Sequence, residues 1–183
     1  GWGVSALFSH WQGDGYNDMT AGQGQNYFVS IGYKLNEKHN FNFLITGAPQ
    51  WHDQNYAKKI SDYQTHGLKY NNNWGMLNGE KFNIRKNYYH KPVMNLNWDW
   101  KINETSNLST VVYASFGRGG GTGNEGPSFK SLDNGTLNLQ SVFDQNVIDG
   151  AGKTILRSSV NNHSWFGVVS NYQKKFNDNL TWN

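Results

Sequence analysis

The sequence predicts an all-β chain, read as an antiparallel up-and-down transmembrane β-barrel. About seven strands are expected, with short turns at one end and long loops at the other. Three observations predict this. Apolar and polar residues alternate with a period of two over stretches of about ten residues. Short and long connections alternate along the chain. Aromatic residues gather beside the short turns. A pleated strand sends successive side chains to opposite faces, so this alternation gives one greasy face and one wet face.

Trp2, Val4, Ala6 and Phe8 share one face of a first strand. A hairpin follows: strand 27–35 with Tyr27, Val29, Ile31 and Tyr33 aligned, turn 36–39, and strand 40–47 with Phe41, Phe43 and Ile45 aligned. The clearest pattern lies in 93–102. There Met94, Leu96, Trp98, Trp100 and Ile102 fall on one face, and Val93, Asn95, Asn97, Asp99 and Lys101 on the other. Turn 103–106 joins it to 107–116, where Leu108, Thr110, Val112, Ala114 and Phe116 align. A last hairpin runs from 164 to 176, with Phe166, Val168 and Tyr172 on one face, turns at 177–179 and continues to the end of the chain.

The remaining connections, 11–25, 49–91 and 117–162, read as long loops, so all short turns are expected at one pole and all long loops at the other. Loops beyond about 12–15 residues are uncommon in compact domains. Outer-membrane barrels have this asymmetry, together with a lipid-facing apolar band and a polar interior. Strands of about ten residues suit a tilted bilayer crossing. Tyr33, Phe41, Trp98, Trp100, Tyr172 and Trp182 lie near the short turns, where an interfacial girdle belongs. On this reading Asn95, Asn97, Asp99 and Lys101 are lumen-facing. A soluble β-sandwich also alternates. Single-chain bacterial barrels use even strand numbers, so residues 1–183 are expected to form part of one larger barrel domain. The opening Gly1-Trp2-Gly3-Val4, without Met, basic or apolar leader features, likewise reads as the middle of a longer polypeptide.

Composition narrows the alternatives. The chain is 36% hydrophobic and 16% charged, against about 45–50% and 25% in ordinary soluble domains. This polar, weakly charged, aromatic-rich composition argues against disorder and against a helical bundle. The absence of Cys excludes a disulfide scaffold, and no apolar run approaches the ~20 residues of a membrane helix. A net charge of +3 with scattered Lys and Arg provides no nucleic-acid stripe.

The motifs carry no covalent chemistry. Residues 121–126 fit G-x-G-x-x-G, but Pro127, Ser128, Asp133, Asn134 and Gly135 follow where a phosphate-binding helix should start. Gly152-Lys153-Thr154 lacks the earlier P-loop glycine, since Val147 stands there. No two His are spaced as metal ligands, and neither a Ser-His-Asp order nor a paired acid–base cluster emerges. No enzyme activity, metal or cofactor is therefore expected. The best candidate for ligand binding is the aromatic- and amide-rich connection carrying Trp51, His52, Tyr56, Trp74, Tyr88 and Tyr89, together with Asn71-Asn72-Asn73. Rigid rings offer stacking area and amides offer orientable hydrogen bonds. The same residues could equally pack a long loop onto itself.

Several stretches resemble one family. Ile45-Thr46-Gly47-Ala48-Pro49-Gln50-Trp51-His52, Tyr70-Asn71-Asn72-Asn73-Trp74-Gly75 with Leu77-Asn78-Gly79-Glu80, and Asn87-Tyr88-Tyr89-His90-Lys91-Pro92 with Asn95-Leu96-Asn97-Trp98 are similar to the barrel of TonB-dependent outer-membrane receptors, as is Ser115-Phe116-Gly117-Arg118-Gly119-Gly120-Gly121. The resemblance implies a 22-stranded barrel in the outer membrane of a Gram-negative bacterium, plugged by an N-terminal domain. It implies active uptake of a siderophore-, cobalamin- or glycan-type nutrient, driven through a TonB-type coupling protein. Neither the plug nor the coupling box is among these residues. The expected partners are outer-membrane lipid, the plug and remaining strands of the same polypeptide, the coupling protein and a surface lipoprotein. A barrel component of a larger outer-membrane complex and a soluble carbohydrate-binding sandwich are the alternatives.

Overall fold

The computed structural model describes residues 1–183. In chain order the elements are β1 (Trp2–Asp14), β2 (Ala21–Lys34), β3 (His39–Gly47), β4 (Gln50–Asp53), α1 (Ile60–His66), β5 (Trp74–Leu77), β6 (Glu80–Asn83), β7 (Lys86–His90), β8 (Val93–Asn103), β9 (Ser106–Glu125), α2 (Leu139–Asp149), β10 (Ile155–Val160), β11 (His163–Asn177) and β12 (Leu180–Trp182).

Three strand pairs are single courses interrupted at one point. The breaks fall at Ala48-Pro49, Lys91-Pro92 and Asn161-Asn162. Proline has no N–H to give to a ladder, so two of these breaks have an evident cause. Counted as courses, the large sheet is a seven-membered antiparallel meander: β1, β2, β3–β4, β7–β8, β9, β10–β11, β12, each hydrogen-bonded to the next. β5 and β6 form a separate hairpin. The sheet is all antiparallel and open, with β1 at one edge and β12 at the other.

The three short turns stand where the sequence places them, at 35–38, 104–105 and 178–179. The three long connections are shorter than predicted. β1 runs on to Asp14 and β2 begins at Ala21, so residues 15–20 make a tight turn rather than a loop from 11 to 25. Strand β9 continues through the glycine-rich stretch to Glu125, so 117–125 is sheet and not loop. The signal fails there because both faces turn polar or glycine-rich. Amphipathic alternation disappears while the backbone ladder continues.

Residues paired across antiparallel strands share a face, and the register assembles rows. One row is Val4–Ile31–Phe43–Leu96–Val112–Val168, and the next is Ala6–Val29–Ile45–Met94–Ala114–Phe166. Toward the short turns the row Trp2–Tyr33–Phe41–Trp98 follows, joined by Trp100, Tyr172 and Trp182. Trp2 stacks on Tyr33 at 4.2 Å, Trp98 on Trp100 at 5.7 Å, and Tyr172 meets Trp182 at 5.8 Å. The Trp98 indole N–H donates to His39 Nδ1 at 3.1 Å, giving the ring one wet end. The six aromatics predicted beside the turns thus lie on one face, over three successive register positions.

Nothing in the chain covers this face. Leu96 is 47% exposed, Val112 48% and Phe166 75%. The only buried apolar cluster, Ile84, Leu137 and Leu139, lies away from it among the connections. A soluble sheet of this size hides one face against a second layer; this one stays a single layer.

The opposite face carries Asn95, Asn97, Asp99 and Lys101, as predicted from period two. They belong to a polar ladder. Asn97 Nδ2 donates to Asn42 Oδ1 at 3.2 Å, Asn42 Nδ2 donates to Ser30 Oγ at 2.8 Å, and Ser109 Oγ donates to Asp99 Oδ1 at 2.7 Å. Lys101 bonds both Glu104 oxygens at 2.9 Å beside the turn. Several glycines of the sheet lie directly opposite a ring that folds over them: Gly47 under Tyr27, Gly120 under Tyr88 and Gly167 under Tyr113. A side chain at Gly167 would place its Cβ 2.5 Å from the Tyr113 hydroxyl, so the ring would have to swing aside.

Candidate functional site

All the elaborated connections rise from the end of the sheet opposite the short turns. Residues 54–85 and 126–154 pack on each other there as a cap. Asn78 and Gly79 both have positive φ, 51° and 81°, and close the β5–β6 hairpin. Asn and Gly tolerate that region where branched residues do not. The hairpin docks on the second connection through Leu137 N to Trp74 O at 2.8 Å, Asn78 N to Gln140 Oε1 at 2.7 Å and Tyr70 Oη to Gly135 O at 3.0 Å. Helix α2 starts at Asn138, whose side chain accepts from Ser141 N at 3.3 Å, and stops at Gly150 in the left-handed region.

The asparagine run is structural. Asn71 is 1% exposed; its Nδ2 donates to Asp18 O at 2.9 Å, and its Oδ1 accepts from Asn73 N at 3.0 Å. Asn73 Nδ2 donates to Gln54 O at 3.0 Å, and Asn83 Nδ2 to Met19 O at 2.7 Å. Three buried amides therefore tie the 15–20 turn, the start of the cap and the β5–β6 hairpin into one unit. Of the two readings the sequence left open for this run, self-packing is the one these contacts support.

The six predicted ligand residues fall in three places. Trp51 and Tyr88 are cross-strand partners on the apolar face of the sheet, beyond its hydrophobic rows. His52 and Tyr89 project from the opposite face, where His52 Nδ1 is 2.9 Å from Gln50 Oε1. Tyr56 lies exposed in the cap, its hydroxyl donating to Gln54 Oε1 at 3.0 Å. Trp74 sits in β5 with Lys81 Nζ 5.6 Å from its ring. Successive residues of a strand point to opposite faces, so adjacent sequence positions such as Trp51 and His52 cannot serve one pocket.

Around Trp51 and Tyr88 the structure adds residues the sequence did not single out. Lys86 Nζ lies 4.1 Å from the Trp51 ring and 3.7 Å from Asp53 Oδ1. Gln23, Gln25, His90 and Arg118 complete a concavity of about 270 Å³. A second concavity, about 250 Å³ and lined mainly by Leu77, Phe82, Phe129, Leu139, Val142 and Phe143, opens in the cap. Aromatic faces, amides and one guanidinium suit non-covalent recognition of a polar ring compound, while the cap concavity is suited to an apolar group.

Asp53 is the strained group at this level. Its side chain is 9% exposed and Oδ1 has no hydrogen-bond donor. Burial raises its pKa above the ordinary carboxylate range, with nearby Lys86 only partly opposing this. A raised folded-state pKa means the charged form opposes folding. Stability is then greatest below the unfolded carboxylate pKa and falls as pH rises through the raised value. Asp53→Asn is expected to flatten this dependence, raising the unfolding midpoint at neutral pH and leaving it nearly unchanged near pH 3. A denaturant titration at the two pH values checks this; equal shifts at both would contradict it.

No protein-family model, curated protein or solved structure matches the chain.

Proposed function

We propose that these residues are seven consecutive strands of a larger outer-membrane β-barrel of the TonB-dependent receptor type, in a Gram-negative bacterium. The barrel takes up a scarce siderophore-, cobalamin- or glycan-type nutrient. The observation that carries the reading is the uncovered apolar face. From Leu108 to Phe116 it spans about 27 Å of strand at ~3.4 Å per residue, or roughly 20 Å of height at a tilt near 40°, close to the ~25 Å band of such barrels. An aromatic row borders it on the short-turn side, and the elaborated cap stands at the other end.

Two open sheet edges call for further strands of the same domain, because only closure satisfies strand edges in lipid. The polar ladder from Asn95 to Lys101 then lines the lumen and meets the plug or water path. The cap captures the nutrient, and a TonB-type protein drives its release inward by moving the plug. A surface lipoprotein has a docking platform on the cap. The uncovered face disfavours the soluble sandwich, which would hide it. A barrel that serves a larger outer-membrane complex shares every feature except nutrient capture.

The chain has no Cys, so single cysteines introduced into it, in a full-length protein with any other Cys replaced, report facing directly in membranes. Leu96→Cys and Val112→Cys are expected to resist a water-soluble maleimide. Asn97→Cys and Ser109→Cys are expected to react. Equal labelling of the two sets would overturn the barrel. Deletion of the cap hairpin should abolish growth on the limiting nutrient without reducing barrel assembly; retained growth would favour the larger-complex reading.

A further inference from the structure

On the apolar face, the boundary between hydrophobic and polar residues falls at one level on β1, β2 and β9. Phe8 gives way to His10, Tyr27 to Gln25, and Phe116 to Arg118, each two residues further along its strand on the same face. The register aligns these changes. His10 pairs with Gln25, Gln25 N bonds Pro49 O at 3.0 Å, and His90 pairs with Arg118. Immediately beyond that line lies the concavity of Gln23, Trp51, Tyr88, His90 and Arg118.

We propose that this concavity binds the anionic sugar headgroup of an outer-leaflet amphiphile. The proposal rests on the barrel reading. If the rows below the line face hydrocarbon, then Trp51 and Tyr88 face outward at headgroup level and cannot line the nutrient path. The chemistry of the site selects the headgroup. Trp51 and Tyr88 are cross-strand partners on the β4–β7 ladder, Tyr88 lying over Gly120 with its hydroxyl 2.8 Å from Ser158 Oγ, and both rings give the concavity an apolar wall for a sugar ring. Gln23 and Gln25 present amides that can both donate and accept toward hydroxyls. Arg118 is exposed and has no carboxylate partner in the chain, whereas the charge of Lys86, further along β7, is matched by Asp53. An unpaired guanidinium with five donors is suited to a phosphate or carboxylate oxygen. The concavity of about 270 Å³ accommodates one ring, not a long glycan. An acyl chain continuing from such a ring runs down over Tyr27, Val29 and Ile31 on the same face.

The test uses the full-length protein purified from outer membranes in mild detergent. The glycolipid retained per protein is measured by mass spectrometry. Wild type is expected to retain a phosphorylated glucosamine amphiphile, and Arg118→Glu to lose at least fivefold of it. Arg118→Gln provides a milder variant should the first fail to assemble, with heat-dependent gel mobility as the assembly check. Reconstitution in phosphatidylcholine vesicles, with and without that glycolipid, is expected to slow maleimide labelling of Gln23→Cys only where the glycolipid is present. Equal retention by wild type and both variants would overturn the site. Protection of Gln23→Cys by glucose 1-phosphate as complete as that by the glycolipid would overturn the membrane source in favour of a soluble ligand. If Leu96→Cys stays shielded and no glycolipid is retained, the inference fails and the barrel stands. If Leu96→Cys labels freely, both fall.

Discussion

Leu96→Arg is expected to collapse the yield of folded protein in membranes, while Asn97→Arg, one residue away, leaves most of it. Leu96 lies in the row Val4–Ile31–Phe43–Leu96–Val112–Val168, the first apolar row inside the aromatic one. A guanidinium there would face hydrocarbon, which costs up to ~2–4 kcal/mol, the value at the midplane of a barrel. In equilibrium terms this is roughly 30- to 700-fold, at about 1.4 kcal/mol per tenfold. Asn97 points the other way. Arg in its place forfeits the bonds to Asn42, each worth about 1 kcal/mol net, and its charge stays solvated. Urea titration of the two variants in lipid vesicles provides the comparison. Equal destabilisation would mean that neither face is buried in lipid, and the proposed function would be withdrawn.

Asn71→Leu is expected to release the cap without unfolding the sheet. Leucine roughly matches the size of the amide but removes its donors and acceptor. The carbonyl of Asp18 loses its best side-chain donor, and Asn73 N loses its acceptor. Each buried polar group left unsatisfied costs about 1–3 kcal/mol, so a loss of roughly 2–6 kcal/mol falls on a unit held otherwise by a small apolar cluster and a few further hydrogen bonds. Rapid proteolysis within 54–85, with unchanged heat-dependent mobility of the barrel, is the expected outcome. A cap as resistant as wild type would show that the Ile84–Leu137–Leu139 cluster and the remaining hydrogen bonds hold it without Asn71.

Different physical signals made different parts legible. The alternation in β8 and the lower half of β9 identified their faces residue by residue, because a strand with one apolar face has a period that no other local structure shares. Turns 35–38, 104–105 and 178–179 were legible for the same reason: they interrupt that period with polar residues. The upper strand halves were hidden. Gly117, Gly119 and Gly121 read as loop, yet Gly119 and Gly121 pair with β7 and Gly117 pairs with His163 of β11. Tyr89 covers Gly119 and His163 covers Gly117. Two signals went unread. Asn78-Gly79 after Met76-Leu77 marks a hairpin, and Asn138 with Gly150 brackets a capped helix. The candidate ligand residues were legible as residue types but not as a site. Trp51 and His52 diverge by parity, and Asn71 and Asn73 are absorbed by the backbone they clamp.

Residue order alone determined which side chains share a face, where the chain reverses tightly and that one face is apolar. Those are local properties, set by the two-residue repeat of a pleated backbone. Only the tertiary structure decided that this face is left uncovered, that the cap is clamped by buried asparagines, and that His90, Arg118, Trp51 and Tyr88 meet at one level. Each of these depends on register between strands distant in sequence. Cross-strand hydrogen bonds and packing fix that register, and a single strand's composition does not encode it.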